Sequence, residues 1–544
     1  MGIVMTDLLK KYHNHFPEIV GLYDYQETVL RLLSDKGNTL AIIPTGGGKS
    51  LLYQLSALDL SGITLVISPL KALMNEQVAE LNNRGINAIA INSDFNFVEQ
   101  RKILRGLKHS GFKLIYISPE RLQNPFFRAS LIAAGVSISM VVVDEAHCIS
   151  QWGSGFRPDY SQIPEFIEFL NHNGNAPVVL CLTATLALNA RKEIADAFKV
   201  AGDHVFISSK ILRDNLNLTF QKVSEEEEKI EYLKTFLQKF KPQKAIVYLY
   251  SKPLTKRYAK EFGKSYATGY YNADIDADDK LVTYEDFLGG DIELLFATTA
   301  FGMGINIPDI ESIIHFHIPN SIEEYYQQAG RGWRRKDLVK TCNCLALWSD
   351  KNFKERKRDL VKQKYTVQDV FDAYQALIGG AEITDIGQVV NKSKDALLNG
   401  KSYNLQLLRY KLEKYGVIKT IGELNGTPET VQMVKNTPLW NRIRKSAFEG
   451  MDGFNFVSVD LKIPLQDIIQ HLYEQDLLGN IKSLPALKKD VYFEVLQTTI
   501  SEELAIKIAY EININIDFRI SQLEHLKELF EGDNINDLLA KSLN

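Results

Sequence analysis

A glycine-rich turn with the sequence PTGGGKS lies between an apolar run and a segment of helical periodicity near the start of the chain. The backbone N–H groups of such a turn, with the positive end of the helix dipole, can hold phosphate groups. Lys49 is expected to reach the β- and γ-phosphates of a nucleotide, and Ser50 to bind Mg²⁺. Ile43 stands where the general pattern has its first glycine, and the alternative is a purely structural turn. The predicted phosphate-binding residues are Thr45, Gly46, Gly47, Gly48, Lys49 and Ser50.

Two adjacent carboxylates, Asp144 and Glu145, follow the apolar run MVVV. Open α/β sheets bind their ligands at the carboxyl ends of the strands, where we expect this pair to lie. Asp144, together with Ser50, is expected to bind Mg²⁺, and Glu145 to orient or activate an attacking water. An acidic pair alone is weak evidence. Together with the glycine-rich turn it predicts nucleotide hydrolysis, with the two segments on neighbouring strands.

A third group of side chains suited to chemistry lies in the segment YYQQAGRGWRRK. Its residues Gln327, Arg331 and Arg334 have the spacing Q-x-x-G-R-x-x-R. A guanidinium that reaches a nucleotide across a domain cleft can stabilise the charge that develops on the γ-phosphate. The alternative is a solvated basic helix. Because the other two motifs are present, we predict that these three side chains act on the same nucleotide.

Short apolar runs that alternate with helical periods must position these groups. The first set is TLAIIPT, TLVISPL, KLIYISPE, MVVVDEA and PVVLCLTAT, and the second is KAIVYLYS, IELLFATT and SIIHFHIP. Each run is apolar enough to form a strand buried on both faces. The alternation predicts the α/β class, with two tandem doubly wound parallel sheets.

The segment between the two sets predicts a helix, EEEEKIEYLKTFLQKF, opened by a capping box of Ser224 and Glu227. Its four glutamates are interpreted as a solvated helix start that the helix dipole favours, and not as a metal site.

After residue 365 the pattern changes to helices followed by short strands. Leu405, Leu408 and Leu412 share one helix face, and Asn425-Gly426 predicts a hairpin after that helix. A second helix-then-strand segment follows, so we predict mainly helical, winged-helix-like C-terminal domains. Periodicity does not separate a DNA-reading helix from a packing helix.

Composition limits the classes of protein to consider. The 544 residues, 45% of them hydrophobic, are enough for three or four cores. A net charge of -4 means that nucleic-acid contacts must come from local basic clusters. No apolar run approaches about 18 residues and no signal peptide opens the chain, so the expected location is cytoplasmic, with no membrane partner. The predicted domains are 1–208, 209–362, 363–435 and 436–544.

Several segments between about positions 20 and 350 together resemble the RecQ family of superfamily 2 DNA helicases. They are PTGGGKSLLYQ, SPLKALMNEQV, YISPERL, DEAHCISQWGSGFRPDY, LTAT, FATTAFGMGINIPDIESIIHFHIP and EEYYQQAGRG. The resemblance implies two RecA-like motor domains, ATP and Mg²⁺ as cofactors, and 3′-to-5′ movement. It also implies single-stranded and forked or duplex DNA as partners.

The most specific element of this resemblance is the aromatic-rich loop after DEAH. By resemblance, Trp152, Phe156 and Arg157 sense single-stranded DNA and couple it to hydrolysis. Aromatic rings are sequence-tolerant stacking surfaces for bases, and an arginine can contact phosphate or stack, so the residue types agree. The alternative is that Trp152 belongs to the core, which Gly153 and Gly155 around it argue against.

Further DNA-binding or coupling residues are predicted from the remaining segments. Thr183 and Thr185 in LTAT are expected to relay changes to the second domain. The alternative for SPERL is a strand-to-helix turn in which Pro119 is the breaker. The predicted strand contacts are Ser68, Pro69, Lys71, Glu120, Arg121, Ser251 and Lys252.

Two segments depart from the family pattern. In LYDYQ, Gln26 is kept for adenine, but Tyr23 stands where arginine is usual; its ring can still stack on the base. In the arginine motif, Trp333 and Arg335 replace the usual glycine and aspartate beside Arg334, which is the proposed arginine finger, and the sequence offers no reason for this.

The largest departure from the family pattern concerns zinc binding. Many members of the family bind zinc through four cysteines, whereas this region has only Cys342 and Cys344. Two thiols do not make a tetrahedral site, so no structural zinc is expected.

Three classes of protein fit these motifs. The first is an ATP-dependent DNA helicase or translocase, and the second is a DNA-stimulated ATPase that tracks or remodels DNA in a larger complex. The third is a non-enzymatic DNA-binding subunit, which the intact motifs argue against. The C-terminal domains are candidate sites for protein partners.

Overall fold

The computed structural model describes most of the first 379 residues and parts of the remainder. The described residues are 3–4, 6–44, 46–92, 95, 97–123, 125–149, 158–184, 188–208, 213, 215–301, 307–334, 340–379, 388–391, 395–398, 401–424, 431–433, 437–438, 441, 449–450, 453–454, 471, 475, 478, 480–483, 490–497 and 499–532. The residues discussed above that lie outside these ranges are Thr45, Trp152, Gly153, Gly155, Phe156, Arg157, Thr185, Arg335, Asn425 and Gly426.

The first α/β unit is an all-parallel sheet with a core on each face. Its strands and those of a small N-terminal pair are β1 (Ile3–Val4), β2 (Leu22–Tyr23), β3 (Thr39–Ile42), β4 (Ile63–Ile67), β5 (Ala88–Ile91), β6 (Leu114–Ile117), β7 (Ile138–Val143), β8 (Val178–Thr183) and β9 (Val205–Ile207). Its helices are α1 (Asp7–Lys11), α2 (Asp24–Ser34), α3 (Lys49–Asp59), α4 (Lys71–Asn83), α5 (Phe97–Gly106), α6 (Pro125–Ala134), α7 (Ile163–His172) and α8 (Leu188–Ala197). The order in the sheet is β5-β6-β4-β7-β8-β3-β9. Leu40 and Ile42 of β3 enter one core, and Ala41 enters the core on the other face.

The second unit repeats this architecture. Its elements are β10 (Leu216–Lys222), α9 (Glu226–Phe240), β11 (Ala245–Tyr248), α10 (Lys252–Phe262), β12 (Thr268–Tyr271), α11 (Ala277–Gly289), β13 (Leu294–Ala297), β14 (Ser312–His315), α12 (Ile322–Ala329), β15 (Cys342–Trp348) and α13 (Asp350–Val361). The six strands are parallel, in the order β10-β15-β14-β11-β13-β12. Two tandem doubly wound sheets are therefore confirmed.

The strands that the sequence did not predict lie mainly at sheet edges. β5 and β9 are the edges of the first sheet, β10 and β12 those of the second, and β15 lies next to β10. Edge strands are short or partly exposed and need no continuous apolar run. In β10, for example, half-buried and exposed residues alternate.

The capping box predicted for α9 is wrong. The helix begins at Glu226, and its N-cap is Glu225, which makes no side-chain capping bond. The Glu228 carboxylate instead accepts a hydrogen bond from the Ser224 backbone N–H at 2.6 Å. The acidic side chains still occupy the first turn, where the helix dipole stabilises them.

The C-terminal region packs helices onto the second unit. Its elements are α14 (Val367–Gly379), β16 (Gln388–Asn391), β17 (Asp395–Leu398), β18 (Lys401–Asn404), α15 (Leu405–Lys414), β19 (Ile418–Leu424), β20 (Val431–Met433), β21 (Glu449–Gly450), β22 (Gly453–Phe454), β23 (Ile481–Ser483), β24 (Asp490–Val495) and α16 (Glu502–Glu531). Phe530 at the end of α16 contacts the rings of Phe220 and Trp348, so this helix shares the core of the second sheet. None of the described helices is both long and apolar enough to cross a membrane.

The pairing of the predicted hairpin is wrong. β19 pairs antiparallel with β24, and β20 pairs with β23, so the strands on either side of the predicted turn are not partners. The helix before them agrees with its predicted face, because Leu405, Leu408 and Leu412 are buried. The turn signal is local, whereas the choice of partner strand depends on residues far along the chain.

Candidate active site

The glycine-rich turn connects β3 to α3, and α3 begins at Lys49. A Cβ atom on Gly47 would lie 2.6 Å from Cγ2 of Ile43, and Gly48 has a φ of 76°. Side chains at these two positions would therefore clash or strain the backbone. The turn keeps its backbone at the N-terminus of α3, where phosphate groups are favoured.

The predicted adenine residues lie against this turn. Gln26 accepts a hydrogen bond from the Tyr23 backbone N–H at 3.0 Å and donates one to the Gly47 carbonyl at 3.1 Å. Sequence reasoning missed Tyr25, whose hydroxyl donates to the same carbonyl at 2.8 Å and whose ring stacks on Tyr23 with centroids 5.3 Å apart. The signal was available, because Tyr25 lies between the two residues that were named.

The acidic pair follows β7 at the carboxyl edge of the sheet. Burial and the charge of Glu145 raise the pKa of Asp144 to about 6. Burial also acts to raise the pKa of Glu145, but the charges of Lys49, His147 and Arg331 outweigh it and bring this pKa to about 2. Of the two, Asp144 is the carboxylate whose charged form its surroundings disfavour, and a bound cation would stabilise that form.

Ser68 holds the first carboxylate in place. Its hydroxyl donates a hydrogen bond to Oδ2 of Asp144 at 3.2 Å, and its side chain is buried, with 1% exposed. The DNA contact of Ser68 stays a prediction. Sequence reasoning missed the hydrogen bond to Asp144 because the two residues are far apart in the chain.

The prediction that the phosphate turn and the acidic pair lie on neighbouring strands is wrong. β8 lies between β3 and β7, and it carries Thr183 at its carboxyl end. The Thr183 hydroxyl lies 3.1 Å from Nδ1 of His147, which lies 3.3 Å from Oε2 of Glu145. Burial lowers the pKa of His147, but Cys148 and Glu145 raise it well above its ordinary value. The intervening strand thus links the LTAT segment to Glu145 through the histidine.

The arginine motif brings charge from the second unit to the first. Arg331 lowers the pKa of Glu145 in the first unit and hydrogen-bonds Tyr248 in its own. Arg334 is partly buried, and its charge lowers the pKa of Glu76 on α4, although burial and Glu80 raise that pKa to about 7 overall. Gln327 is partly exposed on α12. Of the two guanidiniums, it is that of Arg331 whose charge lowers the pKa of Glu145.

Trp333, which the sequence could not explain, is a core residue. Its side chain is buried in the second unit, and its carbonyl accepts hydrogen bonds from the Arg213 guanidinium and, at 2.9 Å, from Asn215. Its own N–H donates to the Ile310 carbonyl at 2.8 Å. These contacts fix the backbone immediately before Arg334 and so restrict where that side chain can reach.

The predicted DNA contacts lie after the carboxyl ends of three strands. Pro69 and Lys71 follow β4, Glu120 and Arg121 follow β6, and Ser251 and Lys252 follow β11. Arg121 is partly buried and donates a hydrogen bond to Oε1 of Gln100 at 2.6 Å. Lys252 forms an ion pair with Asp274 at 2.6 Å. The structure places these segments on the ligand-binding edges of the two sheets, while the aromatic-rich loop lies outside the described residues.

Cys342 and Cys344 belong to the core of the second sheet. They are two residues apart on β15, so both side chains point to one face, and their Sγ atoms are 4.0 Å apart. A Cβ atom on Gly332 would lie 2.1 Å from Sγ of Cys342, which shows how closely the loop packs there. Within the described ranges, no group of three or more His, Cys, Asp or Glu residues could hold a metal ion.

We expect the purified chain to contain no stoichiometric zinc and to keep its melting temperature in strong chelator, because the two thiols are packed among apolar side chains. Elemental analysis and a thermal melt with and without chelator measure this. A zinc content near one per chain, or a chelator-dependent loss of stability, would show that the cysteines are ligands.

Two family models match the chain: DEAD/DEAH box helicase over residues 23–194, and helicase conserved C-terminal domain over residues 228–336. Solved structures with a similar fold include the DUF1998 helicase MrfA bound to DNA, at a TM-score of 0.53 and 16% identity, covering 90% of this chain and 68% of that one. The helicase Lhr of Mycobacterium smegmatis, bound to single-stranded DNA and AMP-PNP, matches at a TM-score of 0.50 and 17% identity, covering 68% of this chain and 50% of that one. At such identities the likeness concerns the fold alone.

Sequence relatives are closer. The probable ATP-dependent DNA helicase RecS of Bacillus subtilis is 33% identical over 376 residues, which are 69% of this chain and 73% of that protein. The ATP-dependent DNA helicase RecQ of Bacillus subtilis is 38% identical over 63% of this chain, and RecQ of Pasteurella multocida is 36% identical over 57%. The matches span 55% and 48% of the lengths of these two RecQ proteins. With the tandem sheets, the phosphate turn, the acidic pair and the arginine motif in place, the chain belongs to the RecQ family of superfamily 2 DNA helicases.

Proposed function

We propose that the chain is an ATP-dependent DNA helicase that couples ATP hydrolysis to 3′-to-5′ movement on single-stranded DNA and to duplex separation. The observation that carries this proposal is the position of the phosphate turn, before α3, and the acidic pair, after β7, at the carboxyl edge of one sheet; Lys49, from the first unit, and Arg331, from the second, add positive charge near Glu145. When a nucleotide that both units hold is hydrolysed, the contact between the two units changes. RecQ and RecS are named as ATP-dependent DNA helicases, which supports the same activity here.

ATP and Mg²⁺ fit the residues present. The phosphate turn places backbone N–H groups at a helix N-terminus, and a cation would stabilise the charged form of the partly buried Asp144, which its surroundings disfavour. Ser50 and Asp144 supply the oxygen ligands that Mg²⁺ prefers, and the ion would neutralise charge on the phosphates. Lys49 binds phosphate, while Tyr23 and Gln26 hold the adenine.

Glu145 orients the attacking water, and its backbone and neighbours restrict its position. Its φ of 50° is in the left-handed region, which is uncommon for a residue other than glycine and is often found at functional sites. His147 and Thr183 support the carboxylate from the side of β8. A change at the LTAT segment would therefore move Glu145, which is the coupling we propose for Thr183 and Thr185.

The proposed DNA path follows the ligand-binding edges of both sheets, with single-stranded, forked and duplex DNA as substrates. Pro69, Lys71, Glu120, Arg121, Ser251 and Lys252 are the proposed contacts. We also propose a cytoplasmic, nucleoid-associated location, a role in DNA repair or recombination, and protein partners that bind the C-terminal region.

Two assays test the proposal against its alternative, a DNA-stimulated ATPase that tracks or remodels DNA without separating strands. ATPase measurements with and without single-stranded DNA should show stimulation; a non-enzymatic DNA-binding subunit would show no hydrolysis. A forked duplex and a partial duplex with only a 3′ tail should be unwound, whereas a partial duplex with only a 5′ tail should not. Stimulated hydrolysis without unwinding of either substrate would favour the tracking ATPase.

Trp152→Ala is expected to uncouple DNA from hydrolysis. Loss of one base-stacking surface costs about 1 to 3 kcal/mol, but phosphate contacts elsewhere keep much of the DNA affinity. Stimulation by single-stranded DNA and unwinding should therefore fall by a larger factor than affinity. ATPase rates, DNA titrations and unwinding rates of the variant and the unchanged protein measure the three quantities.

The rate of hydrolysis without DNA is the control for that variant, and it should stay nearly unchanged because Lys49 and Glu145 are intact. If Trp152→Ala lowers the melting temperature by many degrees and depresses basal and stimulated hydrolysis alike, the residue is part of the core and the loop interpretation is wrong.

A further inference from the structure

Arg213 lies in the segment that connects the two α/β units, between β9 and β10. Its side chain is partly buried, and this burial lowers the pKa of its guanidinium. A charged group in such a place is costly unless hydrogen-bond acceptors compensate it. The sequence motifs assign Arg213 no role, so the acceptors that it has found show what it does.

The Arg213 guanidinium bridges two backbone carbonyls of the arginine motif. One of its Nη atoms donates a hydrogen bond to the Gly330 carbonyl at 2.9 Å, and the other donates to the Trp333 carbonyl. Arg331 and Gly332 lie between these two carbonyls in the chain. A planar guanidinium presents its donors as a rigid fork, which a lysine ammonium does not. The contact therefore sets the shape of the short loop that carries Arg331.

The backbone on either side of this guanidinium is also fixed. The Arg213 N–H donates a hydrogen bond at 3.1 Å to the hydroxyl of Tyr326, which is buried on α12. Asn215, close by in the chain, donates to the Trp333 carbonyl at 2.9 Å, and its own carbonyl accepts from the Cys342 N–H at 2.8 Å. Arg213 is thus anchored to α12 and to β15, and it differs in this from a freely moving surface side chain.

Trp333 has a backbone conformation that needs such support. Its φ of 21° is positive, which is uncommon for residues other than glycine. Its N–H donates to the Ile310 carbonyl at 2.8 Å, and Arg213 holds its carbonyl from the other side. Unfavourable backbone conformations persist only where the surrounding contacts over-determine them. Without the Arg213 side chain the loop would relax, and Arg331 would shift with it.

The charges of three arginines also act together at this loop. Burial, and then the charges of Arg331 and Arg213, lower the pKa of Arg334 to about 9. Nε of Arg334 donates at 3.3 Å to the same Gly330 carbonyl that Arg213 holds. Like charges at short range repel one another, and the phosphates of a bound nucleotide would offset that repulsion. Arg213 therefore adds positive potential at the loop as well as fixing its backbone.

We propose that Arg213 is a positioning residue for ATP hydrolysis, whose guanidinium holds the loop 330–333 in the shape that presents Arg331 to the nucleotide. Arg213 acts through Arg331 and not on the nucleotide itself. The inference rests on the proposed function, in which Arg331 stabilises the charge on the transferring phosphoryl group.

The variant Arg213→Ala should fold, because each of the two carbonyls keeps another donor. The Gly330 carbonyl keeps Nε of Arg334, and the Trp333 carbonyl keeps the amide of Asn215. The large cost of a buried acceptor without any partner therefore does not arise. We expect the melting temperature to stay within a few degrees of that of the unchanged protein. Should the alanine variant not fold, Arg213→Gln takes its place in each measurement below.

Steady-state phosphate release with saturating single-stranded DNA, measured over a range of ATP concentrations, gives kcat and KM. Arg213→Ala should lower kcat by about ten- to a hundredfold and leave KM for ATP nearly unchanged, because a small misplacement of a catalytic group has effects of this size. Arg213→Lys keeps the charge and one donor, so it should recover part of the rate. Arg358→Ala, an exposed arginine on α13 of the same unit, is the matched control and should keep the full rate.

A double variant separates positioning from support of the fold. Arg213→Ala combined with Arg331→Ala should be no slower than Arg331→Ala alone, because residues that act as a unit are not additive. Losses that multiply, or a rate that falls only in step with the melting temperature, would overturn the proposal, and so would a full rate in Arg213→Ala. An unchanged protein that hydrolyses no ATP would instead remove the proposed function, and this proposal with it.

Discussion

Glu145→Gln is expected to lower steady-state ATP hydrolysis by about a hundredfold or more while ATP still binds. The carboxylate is the group we propose to orient the attacking water, and an amide of the same shape cannot accept its proton. Lys49→Ala should lower hydrolysis by a similar factor for a different reason, because it removes a phosphate contact. Phosphate release assays measure the rate, and titration with a fluorescent ATP analogue measures binding.

The two variants should differ in the binding measurement. Glu145→Gln keeps affinity for the nucleotide, whereas Lys49→Ala loses much of it. Glu165→Gln is a matched control, since this glutamate lies on α7 in a solvent-exposed ion pair with Arg128, and its rate should equal that of the unchanged protein. Near-normal turnover in either active-site variant would remove the proposed site.

Arg331→Ala is expected to have the second large effect, a fall of about a thousandfold in the rate of DNA-stimulated hydrolysis. An arginine delivered from a second domain stabilises the charge of the transferring phosphoryl group, and such residues contribute factors of about 10³ to 10⁵. Single-turnover hydrolysis with saturating single-stranded DNA measures the chemical step. Because Arg331 acts on Glu145 and Arg334 on Glu76, the effect of Arg334→Ala should be the smaller of the two.

Arg331→Lys separates charge from geometry. Lysine keeps the charge but loses the forked donor pattern, so a partial rate between those of Arg331→Ala and the unchanged protein is expected. Arg31→Ala, on the exposed face of α2, is the surface control. If Arg334→Ala proves the more damaging change, then Arg334 and not Arg331 is the residue that reaches the phosphate during turnover.

Much of the fold followed from local patterns. All eight apolar runs named from the sequence are strands, because a strand covered on both faces must be apolar along its whole length. The edge strands were missed because a strand that is exposed on one side need not be apolar along its whole length. The partner strand of β19 was missed as well, for a different reason. A turn signal describes a few residues, whereas the choice of neighbour in a sheet is set by packing between distant parts of the chain.

The features of the candidate site also fall into two groups, those that the sequence alone determined and those that tertiary structure decided. The sequence alone determined the phosphate turn, the acidic pair, the arginine motif and their α/β setting, because each is a contiguous stretch whose residue types carry its chemistry. Tertiary structure decided that β8 separates the first two motifs, that Ser68 turns inward to Asp144, 76 residues away, and that Arg213 holds Trp333, 120 residues away. It also brought the charge of Arg331 to Glu145. Such contacts join residues far apart in the chain, and only folding the sheets and closing their cores sets the distances between them.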